Sequence, residues 1–120
     1  MRAKDALGRF GEDVAARYLS DLGMRVLERN WHCDIGELDI VAADGSTLVI
    51  CEVKTRRTDR FGLPIEAVTP RKAARLRRLA ARWLADHPTA RPVEVRIDVV
   101  GVLRPERGET VVDHRRGDLW

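Results

Sequence analysis

The stretch LVICEVKTR, residues 48–56, decides the fold of this chain. Its first four residues are apolar on both faces of an extended strand, a pattern typical of a central strand that is covered on both sides. Charge then enters abruptly, because Glu52 and Lys54 are two residues apart and point to the same face, roughly 6.6 Å from each other. The pattern predicts a buried strand over residues 47–55 whose polar end emerges at the rim of a sheet.

Periodicity along the rest of the chain predicts the elements that surround this strand. Apolar residues at spacings of three and four predict two helices, at residues 5–22 and about 69–86. Gly23 is a natural stop for the first helix, and Thr69-Pro70 is a natural start for the second. Strands are predicted at 24–31, 37–45, 92–103 and, as a short last candidate, 110–114. The order α-β-β-β-α-β indicates an α/β fold in which helices flank a central mixed sheet.

Length and composition limit the classes of protein to which this chain can belong. With 120 residues and a hydrophobic fraction of 44%, it suits one domain over 1–120, with a core over about 5–104 and a tail over about 114–120 that we expect to be loose. Cys33 and Cys51 form no CxxC pair, so neither a zinc site nor a disulfide framework is expected. No secretory signal and no run long enough for a membrane span is visible, which favours a cytoplasmic domain without membrane association.

Two carboxylates are expected to meet at the polar end of the central strand. The hairpin predicted at Asp44-Gly45 places Asp39 across from Glu52. Carboxylates held together repel each other unless a cation lies between them, and Mg²⁺ binds such oxygen ligands together with water and phosphate oxygens. Lys54 beside a metal can stabilise a hydroxide that attacks phosphorus. The set therefore predicts a site that hydrolyses a phosphodiester.

Two further oxygen donors are candidates for the same site. Glu12 lies at the edge of the apolar arc of the first helix and can supply a ligand if that helix packs over the strand end. The main-chain carbonyl of Val53 lies on the strand between Glu52 and Lys54. The alternative interpretation is ordinary surface chemistry, with Glu52 and Lys54 as an exposed ion pair and Asp39 as a solubilising charge of the hairpin.

Seven blocks of the chain, over roughly residues 8–103, read in order GEDVAARYL, RNW, GELDIVAADG, LVICEVKTR, FGLPIEAV, RKAARL and IDVVGV. As a set they resemble the YraN-like bacterial proteins, an endonuclease-related family. Asp39 with Glu52-Val53-Lys54 also resembles the motif of the PD-(D/E)XK nuclease superfamily, which includes type II restriction enzymes and archaeal Holliday junction resolvases. The resemblance implies a restriction endonuclease-like αβββαβ core.

The resemblance also implies a role for each acidic residue. Asp39 and Glu52 would be metal ligands, Lys54 the catalytic lysine and Glu12 an auxiliary acid, with Mg²⁺ or Mn²⁺ as the cofactor. Glu37, in the sequence GELD, is a further acid of this branch. It has the strand parity of Asp39, so it should face the same side of the sheet.

Positive charge is arranged in two clusters, although 22 Lys and Arg exceed 19 Asp and Glu by little. Arg56, Arg57 and Arg60 follow Lys54 and should stand at the rim of the site, where a DNA phosphate would pass. On the second helix a stripe opposite the predicted core face consists of Arg71, Arg75, Arg78 and Arg82. It is either a solvated face or a phosphate-binding surface. The candidate nucleic-acid contacts of this helix are Arg71, Lys72 and Arg75.

Together these observations predict a metal-dependent endonuclease that hydrolyses DNA phosphodiesters in branched or processed structures. A homodimer is expected by analogy with resolvases, because a four-way junction needs two cuts. The first rival is a nucleic-acid-binding module of the same fold with weak or lost catalysis. The second is a structural or interaction protein whose acids only bind a cation. Asp98 is either a neighbour of the site or an edge charge on its strand.

Overall fold

The structure is a computed structural model that describes residues 5–58 and 68–117. Arg60 and most of the FGLPIEAV block lie outside the described residues. The elements of the described part are α1 Ala6–Asp21, β1 Arg25–Cys33, β2 Gly36–Asp44, β3 Thr47–Arg56, α2 Pro70–Asp86, β4 Glu94–Leu103 and β5 Val111–Arg115. The predicted α/β class is confirmed, and β5 is the short last strand. Of these described helices, none is both long and apolar enough to cross a membrane.

The described strands form one mixed sheet in the order β1-β2-β3-β4-β5. β1, β2 and β3 are antiparallel neighbours, whereas β3 and β4 are parallel and are connected through α2. A parallel pair needs such a crossover, because its two strands run in the same direction. β5 pairs antiparallel with β4 at the far edge. This arrangement is compatible with a restriction endonuclease-like core.

Each face of the sheet is covered by one helix, and β3 takes part in both interfaces. α1 packs against the odd-numbered residues Val49 and Cys51, whereas α2 packs against the even-numbered Leu48 and Ile50. Burial of apolar side chains on both faces is the main favourable contribution to folding. The double apolar pattern of β3 is thereby explained, and its parity directs Glu52 to the α2 face.

The β2–β3 hairpin has the register that the sequence predicts. It is closed by the pair Asp44–Thr47, and Gly45 in its turn has a φ of 59°, which glycine adopts without steric cost. The ladder continues without a shift to the pair Ile40–Cys51. One more step in this register would set the two predicted acidic ligands opposite each other.

The C-terminal segment is bound to the sheet, in contrast to the loose tail expected from residue 114. All five residues of β5 pair with β4. Gly117 then lies so close to β4 that a Cβ atom on it would be 2.4 Å from the Ile97 carbonyl oxygen. Residues 114–117 therefore belong to the folded domain, whereas 118–120 lie outside the described residues.

α1 approaches β3 very closely at Gly11, a buried residue of the helix. A Cβ atom on Gly11 would lie 1.8 Å from the Oγ1 atom and 2.8 Å from the Cβ atom of Thr55. Thr55 has little freedom to move aside, because a β-branched side chain is stiff at its first torsion. The absence of a side chain at Gly11 thus sets the distance between α1 and the sheet.

We expect Gly11→Ala to destabilise the fold, although this replacement inside a helix normally stabilises by about 0.5–1 kcal/mol. The clash with Thr55 reverses the sign, since overpacking a core costs roughly 1–3 kcal/mol. Urea denaturation measures the change in the free energy of unfolding. Ser20→Ala, at an exposed position of α1, is the control and should change it by less than about 0.5 kcal/mol. A Gly11→Ala protein more stable than the parent would contradict the close approach.

Candidate functional site

β2 and β3 separate where the two acidic residues would pair. After the pair Ile40–Cys51, the next N–H of β3 that faces β2 is that of Val53, and it donates to the Asp39 carboxylate, with 2.9 Å from N to Oδ2. The carboxylate replaces the carbonyl that a regular ladder would supply. Asp39 is only 5% exposed, so the hydrogen bond fixes a buried charge. We call this place, bounded by Asp39, Glu52 and Val53, the strand fork.

The Val53 carbonyl is directed toward the strand fork. In an antiparallel pair the N–H and C=O of one residue point to the same neighbouring strand. Because the Val53 N–H is bonded to Asp39, the carbonyl of the same residue points to the same side. The strand fork therefore brings together Asp39, Glu52 and the main chain of Val53. Their role as metal ligands stays a prediction.

Glu52 is a buried carboxylate held between two lysines. It is 7% exposed, and its Oε2 atom lies 2.6 Å from Lys72 Nζ and 3.5 Å from Lys54 Nζ. Burial raises the pKa of Glu52 and the charge of Asp39 raises it further, while the two lysines act in the opposite direction. The net upward direction means that the lysines offset only part of the cost of keeping this charge away from water.

Lys54 shares the enclosed environment of Glu52. Partial burial lowers the pKa of Lys54, and the nearby Lys72 lowers it further through its charge and a hydrogen bond. The negative charge of Glu52 acts in the opposite direction and raises the pKa of Lys54. The Lys54 side chain is 23% exposed, so its ammonium can still reach a ligand. A lysine that loses its proton more easily than usual and lies beside a buried acid is a candidate for catalysis.

The strand fork opens into a cleft of about 420 Å³ between the sheet and the beginning of α2. Its charged lining includes Glu37, Asp39, Glu52, Lys72 and Arg75. Glu37 and Asp39 thus face the same cleft, in agreement with their shared parity. Leu76 and Leu79 of α2 give the cleft an apolar wall beside these charges.

Lys72, a candidate nucleic-acid contact of α2 in the sequence, lines the cleft. The structure places its ammonium against Glu52, and its contact with nucleic acid stays a prediction. Thr69 caps the helix by accepting a hydrogen bond from the Lys72 N–H at 3.2 Å, so Lys72 stands in the first turn. Its spacing of four and seven residues from Leu76 and Leu79 is the signal for the buried side of the helix.

Glu12 is buried, but its described contacts lead to β1. Its Oε1 atom accepts hydrogen bonds from Asn30 Nδ2 at 2.8 Å and Arg29 Nε at 3.2 Å. Asn30 has a φ of 54°, in the left-handed region that asparagine adopts more readily than most residues. Glu12 belongs to α1 on one face of the sheet, whereas Glu52 points to the α2 face. Its auxiliary role stays a prediction.

Two arginines of the predicted stripe on α2 hold the turn between β1 and β2. Arg75 Nη2 donates to the Ile35 carbonyl at 3.0 Å, and Arg82 Nη1 donates to Asp34 Oδ1 at 2.9 Å. Half of the stripe is therefore engaged in the fold instead of forming a free outer face. The exposed arginines at the end of β3 and on α2 include Arg56, Arg57, Arg71 and Arg78.

Asp98 is fully buried, so it is not an edge charge, and it is not part of the cleft lining. Its Oδ1 atom accepts hydrogen bonds from Arg96 Nε and the Gly117 N–H, both at 2.9 Å, and its Oδ2 atom lies 2.7 Å from His114 Nε2. Tyr18 Oη is 3.3 Å from His114 Nδ1. Burial opposes the charge, but the bonds from His114, Arg96 and Gly117 outweigh it and lower the pKa of Asp98. Asp98 therefore anchors the C-terminal segment.

The fold and the cleft define an α/β protein in which two buried carboxylates at a strand fork face two lysines. The sequence profile of the family described as "Uncharacterised protein family UPF0102" matches residues 11–102, and the chain belongs to this family. The family indicated by the YraN-like blocks is thus confirmed.

Curated relatives match the chain over almost its whole length. UPF0102 protein Francci3_3586 of Frankia casuarinae is 62% identical over 117 residues, which cover 98% of each chain. UPF0102 protein SCO5602 of Streptomyces coelicolor is 61% identical over 118 residues, which cover 98% of this chain and 91% of the relative. A UPF0102 protein of Kineococcus radiotolerans is 58% identical over 117 residues, with 98% and 96% covered.

We expect Asp98→Asn to lower the free energy of unfolding at neutral pH by roughly 2–4 kcal/mol, because a buried network loses its charged acceptor. The pKa of Asp98 is lower in the folded chain than its usual value of 3.8. Its contribution is therefore present above that value and is lost as the pH falls through the folded-state pKa. The difference between parent and variant should shrink in acid, as measured by urea denaturation at a series of pH values.

Asp21→Asn, at the exposed end of α1, is the matched control for this experiment. It should leave the free energy of unfolding within about 0.5 kcal/mol of the parent at every pH. A gap between Asp98→Asn and the parent that widens in acid would contradict the assigned direction of the pKa.

Proposed function

We propose that this protein is a metal-dependent endodeoxyribonuclease of the PD-(D/E)XK superfamily that hydrolyses phosphodiester bonds in DNA. The observation that carries the proposal is the strand fork, where Asp39 and Glu52 are both buried and the charge of one raises the pKa of the other. Keeping two carboxylates there costs free energy, and apolar residues would avoid that cost. A function that uses the pair together accounts for the arrangement.

The oxygen donors at the strand fork fit a divalent cation such as Mg²⁺ or Mn²⁺. In residues 5–58 and 68–117 no three His, Cys, Asp or Glu side chains group as a metal site, but Mg²⁺ usually takes only one or two carboxylates from a protein. Asp39, Glu52 and the Val53 carbonyl would hold the ion. When bound, it supplies Lewis acidity at the phosphate group.

The residues of the site then have separate tasks. The hydrogen bond from the Val53 N–H holds the Asp39 carboxylate in one position. Asp39 therefore keeps the same place at the strand fork when substrate binds. Lys54, beside Glu52, orients the attacking water, and its ammonium stabilises the negative charge that develops during the attack. The exposed Arg56 and Arg57 follow Lys54 along the chain and contact the DNA backbone.

A nucleic-acid-binding module with weak or lost catalysis is the second candidate. It is favoured by the contact between Lys72 and Glu52, because an ammonium at 2.6 Å already supplies a counter-charge without a metal. Phosphate contacts from exposed arginines need no chemistry and would serve either function. The cleavage experiment below separates the two candidates.

We expect the purified protein to cleave labelled DNA in the presence of Mg²⁺ or Mn²⁺ and not in EDTA. Four-way junction, flap, duplex and single-stranded substrates should be compared, since the proposed substrates are branched or processed DNA. Glu52→Gln and Lys54→Met should each lower the cleavage rate by about 10²-fold or more, because each removes a group that acts on developing charge. Size-exclusion chromatography of the same samples tests the homodimer that the resolvase analogy predicts.

The matched controls are Glu106→Gln and Arg107→Met, which alter exposed side chains in the connection between β4 and β5. Both should keep the parental rate. Cleavage that survives in Glu52→Gln and Lys54→Met would identify a contaminating nuclease. No cleavage by the folded parent, together with salt-sensitive DNA binding, would establish the binding module in place of the enzyme.

Removal of Arg56 and Arg57 should weaken DNA binding in a way that depends on salt. Each phosphate contact contributes about 0.9 to the slope of log affinity against log salt concentration. The double variant Arg56→Met/Arg57→Met should therefore reduce that slope by about two, as measured by fluorescence anisotropy at several salt concentrations. Arg107→Met is the control, and an unchanged slope in the double variant would exclude these two side chains from the interface.

A further inference from the structure

The ammonium of Lys72 lies closer to Glu52 than that of Lys54 does, at 2.6 Å against 3.5 Å. We propose that Lys72 is the counter-ion of Glu52 that a divalent cation displaces, and that the released ammonium then contacts the phosphate of the substrate. This inference rests on the proposed metal-dependent nuclease function. It gives Lys72, a candidate nucleic-acid contact of α2, a specific role beside the proposed metal ligand Glu52.

A cation at the strand fork and Lys72 compete for the same carboxylate. A cation bound to Glu52 would lie close to the Lys72 ammonium, which is 2.6 Å from Oε2 of the same buried carboxylate, and like charges at such distances repel each other. Lys54 already brings a third positive charge to that carboxylate. Lys72 is the group that can yield, because its side chain is 35% exposed and its flexible four-carbon stem lets the ammonium move while the helix stays fixed.

The position of Lys72 in the first turn of α2 keeps a displaced ammonium at the wall of the cleft. Lys72 belongs to the first turn of the helix, whose main-chain N–H groups carry partial positive charge. Arg75, one turn further, lines the same cleft but is bonded to the Ile35 carbonyl. Lys72 can therefore leave Glu52 without breaking a contact to the β1–β2 turn, whereas Arg75 cannot leave Ile35 without doing so.

Isothermal titration with Mn²⁺ tests the competition in the absence of DNA. The full chain, Lys72→Met, Glu52→Gln and Arg78→Met are compared at about pH 8, well above the usual range of a carboxyl pKa. Lys72→Met should bind Mn²⁺ roughly three- to tenfold more tightly than the parent. The reason is that the metal no longer has to break the partly exposed ion pair between Lys72 and Glu52. Arg78→Met, an exposed change of the same charge on α2, should bind as the parent does.

The outcomes separate this inference from the proposed function. The competition would be overturned if Glu52→Gln abolishes Mn²⁺ binding while Lys72→Met binds Mn²⁺ as tightly as the parent or more weakly. In that case the metal site itself would still stand. No Mn²⁺ binding by the parent and by Lys72→Met would overturn the metal site and the inference together. Tighter binding in Lys72→Met and not in Arg78→Met supports the displacement.

DNA affinity tests the second half of the inference. In the Lys54→Met background, in which cleavage should be slowed about 10²-fold or more, Mn²⁺ should strengthen the binding of a labelled single strand measured by anisotropy. Adding Lys72→Met should reduce that enhancement at least about threefold, because coupling between the two ligands passes through the displaced ammonium. An enhancement equal in both proteins would overturn the phosphate contact.

Discussion

The hydrogen bond from the Val53 N–H to the Asp39 carboxylate is the interaction on which the site depends. A regular ladder would continue with a main-chain bond to Leu38 and would hold β2 and β3 together. Because a side chain supplies the acceptor, β2 can leave β3 without stranding a buried donor. The gap that results is the strand fork, and the cleft follows from it. Asp39 therefore shapes the site as well as charging it.

Helices cover both faces of the sheet, and this burial explains why the pKa of Glu52 at the strand fork is raised. β3 is apolar on both sides up to Cys51, so a carboxylate at the next position is still largely enclosed. Glu52 is ionised there only at a cost, which its raised pKa reflects. The first turn of α2 faces this carboxylate with Lys72 and with the positive end of its dipole. The acids and the start of α2 form one electrostatic unit.

Local patterns in the sequence were sufficient to predict the frame of the molecule. The apolar run with Glu52 and Lys54, the hairpin at Asp44-Gly45 and the cap at Thr69-Pro70 depend only on near neighbours, and each is found where it was expected. The register that follows from the hairpin also brings Asp39 to the strand fork. These features could be predicted because strand parity and turn chemistry act over a few residues.

The remaining contacts depend on how distant elements are rotated against each other. Lys72 meets Glu52 across 20 residues of chain. Its spacing from Leu76 and Leu79 indicates the buried side of α2, but only the orientation of α2 on the sheet brings that side against Glu52. Asp98 is buried because Gly117 and His114 return to it after 19 and 16 residues, a closure that the alternating pattern of β4 does not reveal. The sequence does not reveal the contacts of Arg75 and Arg82, because their partners, in the turn at 34–35, lie on another element.

The two faces of β3 differ in what they contribute at the polar end of the strand, since one packs against α1 and the other carries the buried acid of the cleft. Thr55, on the α1 face, packs against Gly11, whereas Glu52, on the α2 face, lines the cleft and has Lys54 beside it. Because side chains alternate with a period of two, a shift of one residue in the β2–β3 register would exchange the faces of the entire strand. Gly45 in the hairpin fixes that register. The same turn that aligns the core therefore aligns the acids, so the site cannot be displaced without unfolding the sheet that holds it.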